Sequence, residues 1–523
     1  MMRALPNRLL PLVGRWGSVL LAAFLVYYVI RAPISLALSS SRLSDAGQGS
    51  LQNGVGKQEG GSAQDAVLGP AAAAQDIRDQ NAQAPIEDPM RYVKHYKPEP
   101  PRYPPIDDHF PWLTKSGEAP PVPEHHLPPS PHVEEATPLL VGFTRNWPLL
   151  LQCVSSYIAA GWPPSDIHVV DNTGTFGANQ RHELTLQNPF FLNHTALHQL
   201  GVNIIMTPTV LTFAQLQNFY LHTALMRQWR FFFWTHQDVI VFSDEDVKKK
   251  DRDHDWDHDP FATLYERSVG LMRYLNGPDM PPWSTHFFSY DLFTLVNRDA
   301  YLDAGAWDTH IPFQAADCDM YLRLHWAGYW QPQSEAGLVY DVGVPLNDIG
   351  ALFRLPGAHA GFSGDPVYGP ADDKKQPHRE AELKREQDMY SWVEKEGESF
   401  QHLIEVAERM QAVKWTEKDE DKNASPKTWQ SRQTGGQGEP YWRDPEGFGA
   451  GMDTITDAGR RVFADKWGHR GCDLLEMGIE HKDAWKLERD WDNTKSPGSE
   501  GGNWGKDWSK NPSDQIAQLG ITS

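Results

Sequence analysis

Between residues 138 and 342 the chain alternates two textures. Short apolar runs, LLVGF from residue 139, DIHVVDN from 166, NIIMT from 203 and FFFWT from 231, are bounded by polar and turn-forming residues and predict strands. Between them, NWPLLLQCVSSYIAAG and TFAQLQNFYLHTALMRQW carry apolar residues at helical spacing, the first closed by Gly161. Strands alternating with helices at this spacing imply βαβ units. The expected class is therefore α/β, with a mostly parallel sheet covered on both faces. Two further helices are predicted. FATLYERSVGLMRYL opens behind Asp259 as N-cap and Pro260 in the first turn, and AADCDMYLRLHWAGY starts with Asp317 and Asp319.

The flanks read differently. Arg3, Arg8 and Arg15 precede an uncharged run from Trp16 to Ile30, and an apolar stretch resumes at Ile34 to Leu38. Residues 16–38 are expected to be an uncleaved signal-anchor, with residues 1–15 in the cytosol and the rest lumenal. A cleaved signal peptide, with SLALSS supplying small residues, is the rival reading. Residues 39–135 are Ser, Gly, Gln and Ala, then dense Pro, and read as a stem with too little apolar surface to fold. A domain over 136–350 follows, then a helical extension over 351–417. Residues 418–523 are polar, acidic and Trp-rich, and are expected to be largely disordered.

Composition narrows the class. The net charge of −21 argues against nucleic acid or anionic lipid as the main partner, since both need basic surfaces. The three cysteines, Cys153, Cys318 and Cys472, fit neither a zinc-ligand spacing nor a disulfide framework, and Cys153 reads as a small core residue. Two tempting motifs fail on their context. HDWDH (254–258) lacks the amphipathic helix a zinc site needs, and the acidic run from Asp255 has Pro260 where a calcium loop needs Gly.

The chemistry concentrates in four aspartates. Asp171 ends the second strand, where an Asp-Asn turn is the plain alternative. Asp238 ends FFFWTHQD, and His236, two residues earlier, is placed to converge with it on one ion. An oxygen and an imidazole suit Mn²⁺ or Mg²⁺. Asp317 and Asp319 start a helix, where capping is the plain alternative.

These segments together resemble glycosyltransferase family 2 and related nucleotide-sugar transferases of the GT-A fold. VGFTRNWPLLLQCVSSYIAAGWPPSDIHVVDNTGT is similar to their opening strand, Arg-Asn turn, helix and V-V-D-N strand end. HQD stands at the D-x-D metal motif, with His236 for the first Asp. NRDAYLDAGAWDTHIPFQAADCDMYLRL is similar to the G-G-F-D-E and E-D-x-D segment, with Ala306 for the second Gly and Ala316 for the Glu. The likeness spans residues 138–342. It implies an inverting, metal-dependent transfer of a hexosyl or N-acetylhexosaminyl group from a UDP- or GDP-sugar to a glycan hydroxyl. Thr144, Arg145, Asn146, Asp171, Asn172 and Asp238 would hold the donor. Asp317 would be the base, and Asp319 and Arg323 would orient the helix and acceptor loop. Asp238, His236 and His359 (or, less favoured, His310) would hold the divalent metal. A non-catalytic binding protein that kept the fold is the alternative. A short anchor, a stem and a lumenal domain would place the chain in the Golgi or ER membrane, with Asn193 and Asn423 as glycosylation acceptors.

Overall fold

The apolar runs become strands because both of their faces are covered. In the computed structural model, which describes residues 107–245, 261–367, 397–415 and 445–490, β1 (Leu139–Phe143), β2 (Ile167–Asp171), β3 (Asn203–Met206) and β4 (Phe231–Thr235) run parallel. After a short strand, β5 (Val239–Phe242), come β6 (Thr285–Ser289) and β7 (Phe293–Asn297). These two form a hairpin, and β7 pairs antiparallel with β4. The sheet order is β3-β2-β1-β4-β7-β6. It is a mixed, mostly parallel, Rossmann-like sheet. A second, small sheet joins β5 to β8 (Leu338–Asp341) in antiparallel register, with Val239 opposite Asp341.

Alternate residues of each strand feed two separate cores, as a period of two requires. Leu139, Val141, Phe143, Val169 and Phe233 pack on one face, while Leu140, Val170, Phe232 and Trp234 pack on the other. The helices sort the same way. α1 (Pro111–Ser116), α2 (Trp147–Ala159) and α5 (Leu264–Leu275) lie on the first face, and the short α3 (His194–Gln199) joins them through Ala196 and Leu197. α4 (Phe213–Met226), α6 (Arg298–Asp303) and α7 (Ala316–Trp326) lie on the second. The approach of α4 to β1 is close at Gly142. A Cβ there would stand 2.5 Å from the Tyr220 hydroxyl and 2.7 Å from Leu216 Cδ2. Gly142→Ala is therefore expected to destabilise the domain by about 1–3 kcal/mol, read as a lower urea midpoint at unchanged slope.

Several expectations need correction. The helix at residue 264 is not opened by Asp259. Thr263 caps it in a reciprocal box with Glu266, because that pair satisfies two backbone donors at once. Residues 107–135 were assigned to the stem, yet Phe110 and Leu113 are buried and Phe110 stacks on Phe353 with ring centroids 5.9 Å apart. Large apolar anchors dock this Pro-rich segment in spite of its composition. α8 (Phe400–Trp415), inside the expected helical extension, buries Leu403, Ile404, Val406, Ala407 and Met410 in the first core. The tail contains order that its polar composition concealed, since α9 (Pro445–Trp467) brings Phe463 and Trp467 into the second. Phe463 and Trp467 are four apart, so one face of α9 is apolar within a charged helix. A disulfide joins Cys318 on α7 to Cys472 beyond α9, with Cα atoms 5.5 Å apart. Cys153 is buried and unpaired with another cysteine, as a core residue should be. The expected anchor at 16–38, HDWDH, the rejected calcium loop's acidic run and Asn423 lie outside the described residues. Among the described residues no helix is long and apolar enough to cross a membrane.

Candidate functional site

The carboxyl ends of β2, β1 and β4 lie side by side, since β1 pairs with both neighbours in parallel. At strand spacing, Asp171 and the segment after β4 stand about 10 Å apart on one edge. Open α/β sheets bind ligands at such an edge.

After β1, Thr144, Arg145 and Asn146 turn the chain into α2. Asn146 takes a left-handed conformation at φ 74° and its side chain caps the helix by accepting from Leu149 N. Arg145 is buried, with its guanidinium 5.0 Å over the Phe448 ring of α9. Burial pulls its pKa down to about 10, which leaves it charged at neutral pH. Its carbonyl accepts a hydrogen bond from Gln237 Nε2 at 2.6 Å, so the ends of β1 and β4 are stitched together.

At the end of β2, Asp171 accepts from Thr173 Oγ1 at 2.6 Å and from Thr173 N at 3.1 Å, and its second oxygen is 3.0 Å from His194 Nε2. Burial pushes this carboxyl up, but the His194 and Thr173 bonds together outweigh it and hold the pKa below the ordinary value. His194 begins α3, which Asn193 caps through its side-chain oxygen. Asn172 exchanges two bonds with the backbone of Leu211 and fixes the loop after β3.

Beyond β4, the His236 ring stacks on Phe213 and meets Trp234 edge-on. Burial lowers its pKa, so the imidazole is neutral. Asp238 lies 2.8 Å from the Lys414 ammonium of α8, which also contacts Asp341 at the end of β8. Burial pulls the Lys414 pKa down, but Asp238 and Asp341 together raise it above the usual lysine value.

On the other side, α7 starts at Ala316 behind a left-handed Ala315. Asp317 is half-buried at its start. Burial pushes its carboxyl up, against the backbone N–H groups of Cys318 and of Asp317 itself, and the pKa stands above the ordinary value. Four residues on, Tyr321 donates to Asp291 at 2.9 Å. Asp291 sits in the β6–β7 turn at φ 54°. Burial raises its pKa strongly, and the Asp317 charge adds to the rise. The turn is joined to the end of β4, because Leu292 O accepts from His236 N and Thr235 Oγ1. That turn connects the segment after β4 to Tyr321 of α7, one helical turn beyond Asp317.

Asp319 stands apart from it. It is fully buried and bonds Arg323 Nε at 2.8 Å, Lys466 Nζ at 2.7 Å and Trp467 Nε1 at 3.1 Å. Arg323 in turn donates to the carbonyls of Ala304 and Ala306, each at 2.6 Å, which secures Ala306 in its left-handed conformation at φ 59°. This network ties α7 to α9.

The expected metal set does not assemble. Among the described residues, the one group of three or more His, Cys or acidic ligand atoms within 4.8 Å of one another is His125, His126 and Glu245. It does not include His236, Asp238 or His359. His359 is exposed and 3.9 Å from Glu398, and His310 is exposed beside Asp308. The Glu245 carboxylate in the other group lies 2.7 Å from the Arg354 guanidinium, a cation that would oppose a metal there. Sequence reasoning missed Lys414, Asp291 and His194. Asp291, a polar residue between two aromatic strands, carried a readable turn signal.

No family model matches the chain, and no curated protein sequence matches it. Among solved structures it is similar to the mannosyltransferase PcManGT from Pyrobaculum calidifontis, in complex with GDP-Man and Mn²⁺. The identity is 12% and the TM-score 0.26, covering 43% of this chain and 60% of that one. S. aureus TarS 1–349 in complex with UDP is 10% identical at a TM-score of 0.23, covering 36% and 55%. A cytidylyltransferase from Leptospira borgpetersenii serovar Hardjo-bovis is 10% identical at 0.27, covering 53% and 98%. The chain thus spans 60% of the mannosyltransferase's length. Likeness at these scores carries no weight for activity.

Proposed function

We propose that this edge is the donor site of a GT-A-type glycosyltransferase, moving a hexosyl or N-acetylhexosaminyl group from a UDP- or GDP-sugar to a hydroxyl of a glycan or glycoconjugate. One observation carries the reading. The half-buried Asp317 lies one turn before Tyr321, which holds the Asp291 turn beside the carboxyl edge where Asp171 ends β2 and Arg145 and Asp238 follow β1 and β4. In this reading Asp171 and Asn172 face the nucleotide base, and Arg145 offers positive charge to the diphosphate. Asp317 accepts the proton of the acceptor hydroxyl as that oxygen bonds to the anomeric carbon. The bond from that carbon to the phosphate oxygen breaks, the nucleoside diphosphate leaves with the electron pair, and the configuration inverts. Since Asp238 already carries Lys414, no step runs through a metal.

A thermal-shift screen against UDP, GDP and CDP tests the reading. One nucleotide at 100 times its Kd is expected to stabilise the chain by about 2.7 kcal/mol. Failure of every nucleoside diphosphate to raise Tm would remove the proposal. The second reading, a non-catalytic binding protein, is favoured by the internal partners that Asp171 and Asp238 already have. It predicts nucleotide binding without turnover. The anomeric configuration of a product would separate inversion from retention.

The site's place in the cell is proposed on one support. The Cys318–Cys472 disulfide suits an oxidising compartment, in keeping with a lumenal domain on a Golgi or ER membrane anchor. Glycosidase treatment of protein from secretory cells should shift its mobility, and Asn193→Gln should remove that glycan. An unshifted chain would count against lumenal exposure.

A further inference from the structure

We propose that Lys414 is itself the cation of this site, so the carboxylate pair Asp238 and Asp341 takes no divalent metal and the nucleoside diphosphate binds without one. The inference rests on the donor-site reading above and departs from the metal dependence that the sequence resemblance implied.

The geometry is that of a place already filled. The ammonium lies 2.8 Å from Asp238 Oδ2 and also contacts Asp341 Oδ1. All three side chains are at most 10% exposed. β5 and β8 hold the two carboxylates together, because Val239, next to Asp238, pairs with Asp341 in the small sheet. A metal between these oxygens would occupy the position of Nζ and force it out.

The described residues hold Lys414 in place. Lys414 is near the end of α8, whose apolar face is sunk in the first core through Leu403, Ile404, Val406, Ala407 and Met410. The backbone of the helix is therefore fixed, and a displaced ammonium would leave its two carboxylates from a buried position. Among the described residues no further His, Cys, Asp or Glu ligand atom groups with the two carboxylates, so a metal there would depend on water and phosphate oxygens for the rest of its shell. A single ammonium with several donors matches two carboxylates and needs no further ligand.

The Lys414 ammonium offsets one of the two carboxylate charges, and the Arg145 guanidinium after β1 is the fixed cation that the diphosphate would meet.

Two measurements on the purified full chain test this. In the first, Mn²⁺ alone is titrated by electron paramagnetic resonance. Wild type and Asp238→Asn are expected to bind the same amount, because any ion held by His125, His126 and Glu245 is common to both. Lys414→Met, which leaves the two carboxylates facing each other, is expected to gain one Mn²⁺. Mn²⁺ bound by wild type and lost in Asp238→Asn would overturn the proposal. The second needs no variant and survives misfolding of either. UDP and GDP affinities are measured by calorimetry in EDTA and in Mn²⁺. Equal values support Lys414 as the cation, whereas a gain in Mn²⁺ of about 5–150-fold, the usual size of coupling between two ligands, would overturn it. If neither nucleotide binds in either buffer, the donor-site reading fails, and the Mn²⁺ titration still decides the identity of the cation.

Discussion

Asp317→Asn is expected to lower turnover by about 10²–10⁴-fold while leaving the fold intact. Asparagine matches the shape of aspartate and its amide oxygen can still accept the backbone N–H groups of residue 317 and Cys318 that hold the carboxyl now. What it lacks is the capacity to take up a proton. Nucleotide affinity should barely change, because in the proposed reading Asp317 faces the acceptor hydroxyl and makes no bond to the nucleotide. The assay is turnover of whichever nucleotide-sugar stabilises the chain, with Tm recorded beside it. The pH profile adds a second readout. A base must start ionised, and burial raises the Asp317 pKa, so the acid limb in wild type should lie above the ordinary carboxylate range. Activity is present above that pKa and is lost as pH falls through it. An Asn variant that keeps activity within about tenfold of wild type would deny Asp317 the role of base.

Asp319→Asn should instead cost stability, about 3–5 kcal/mol, since it removes one partner from a buried ionic network. The carboxylate accepts from Arg323, Lys466 and the Trp467 indole. Without its charge, Arg323 keeps only the Ala304 and Ala306 carbonyls and Met320, and Lys466 keeps Asp308 at 2.8 Å. α9 loses its main polar attachment to α7 while the Cys318–Cys472 disulfide still tethers it. Chemical denaturation measures the loss. Adding Lys466→Met removes a second member of the network, and a combined loss smaller than the sum of the two single losses identifies the network as the cause. A loss below about 1 kcal/mol would mean that water or a shifted side chain replaces the carboxylate.

Much of the scaffold could be read from local pattern. β1, β4 and, apart from His168 and its terminal Asp171, β2 are largely apolar because each is covered on both faces, and α2 repeats its apolar positions along its whole length. The C-terminal helix α9 was missed for the opposite reason. Phe463 and Trp467 are two aromatic residues in a polar, Gly-containing helix, and only the receiving core makes their spacing meaningful. The capping of α5 was misread because Asp259-Pro260 and Thr263-Glu266 are both valid helix starts, and the choice falls to where the helix packs.

The sequence by itself determined the alternation of strands and helices, and with it an edge at which Asp171, Asp238 and the Arg145 turn must gather. Short-range periodicity sets which face of an element is buried, and parallel pairing sets which ends are neighbours. Only the tertiary structure decided what those charges meet. Lys414 reaches Asp238 across 176 residues, Cys472 reaches Cys318 across 154, and Asp291 comes beside Asp317 by the packing of a hairpin turn against a helix. A charge interacts through space with whatever the fold brings within a few ångströms, and no local pattern records that choice.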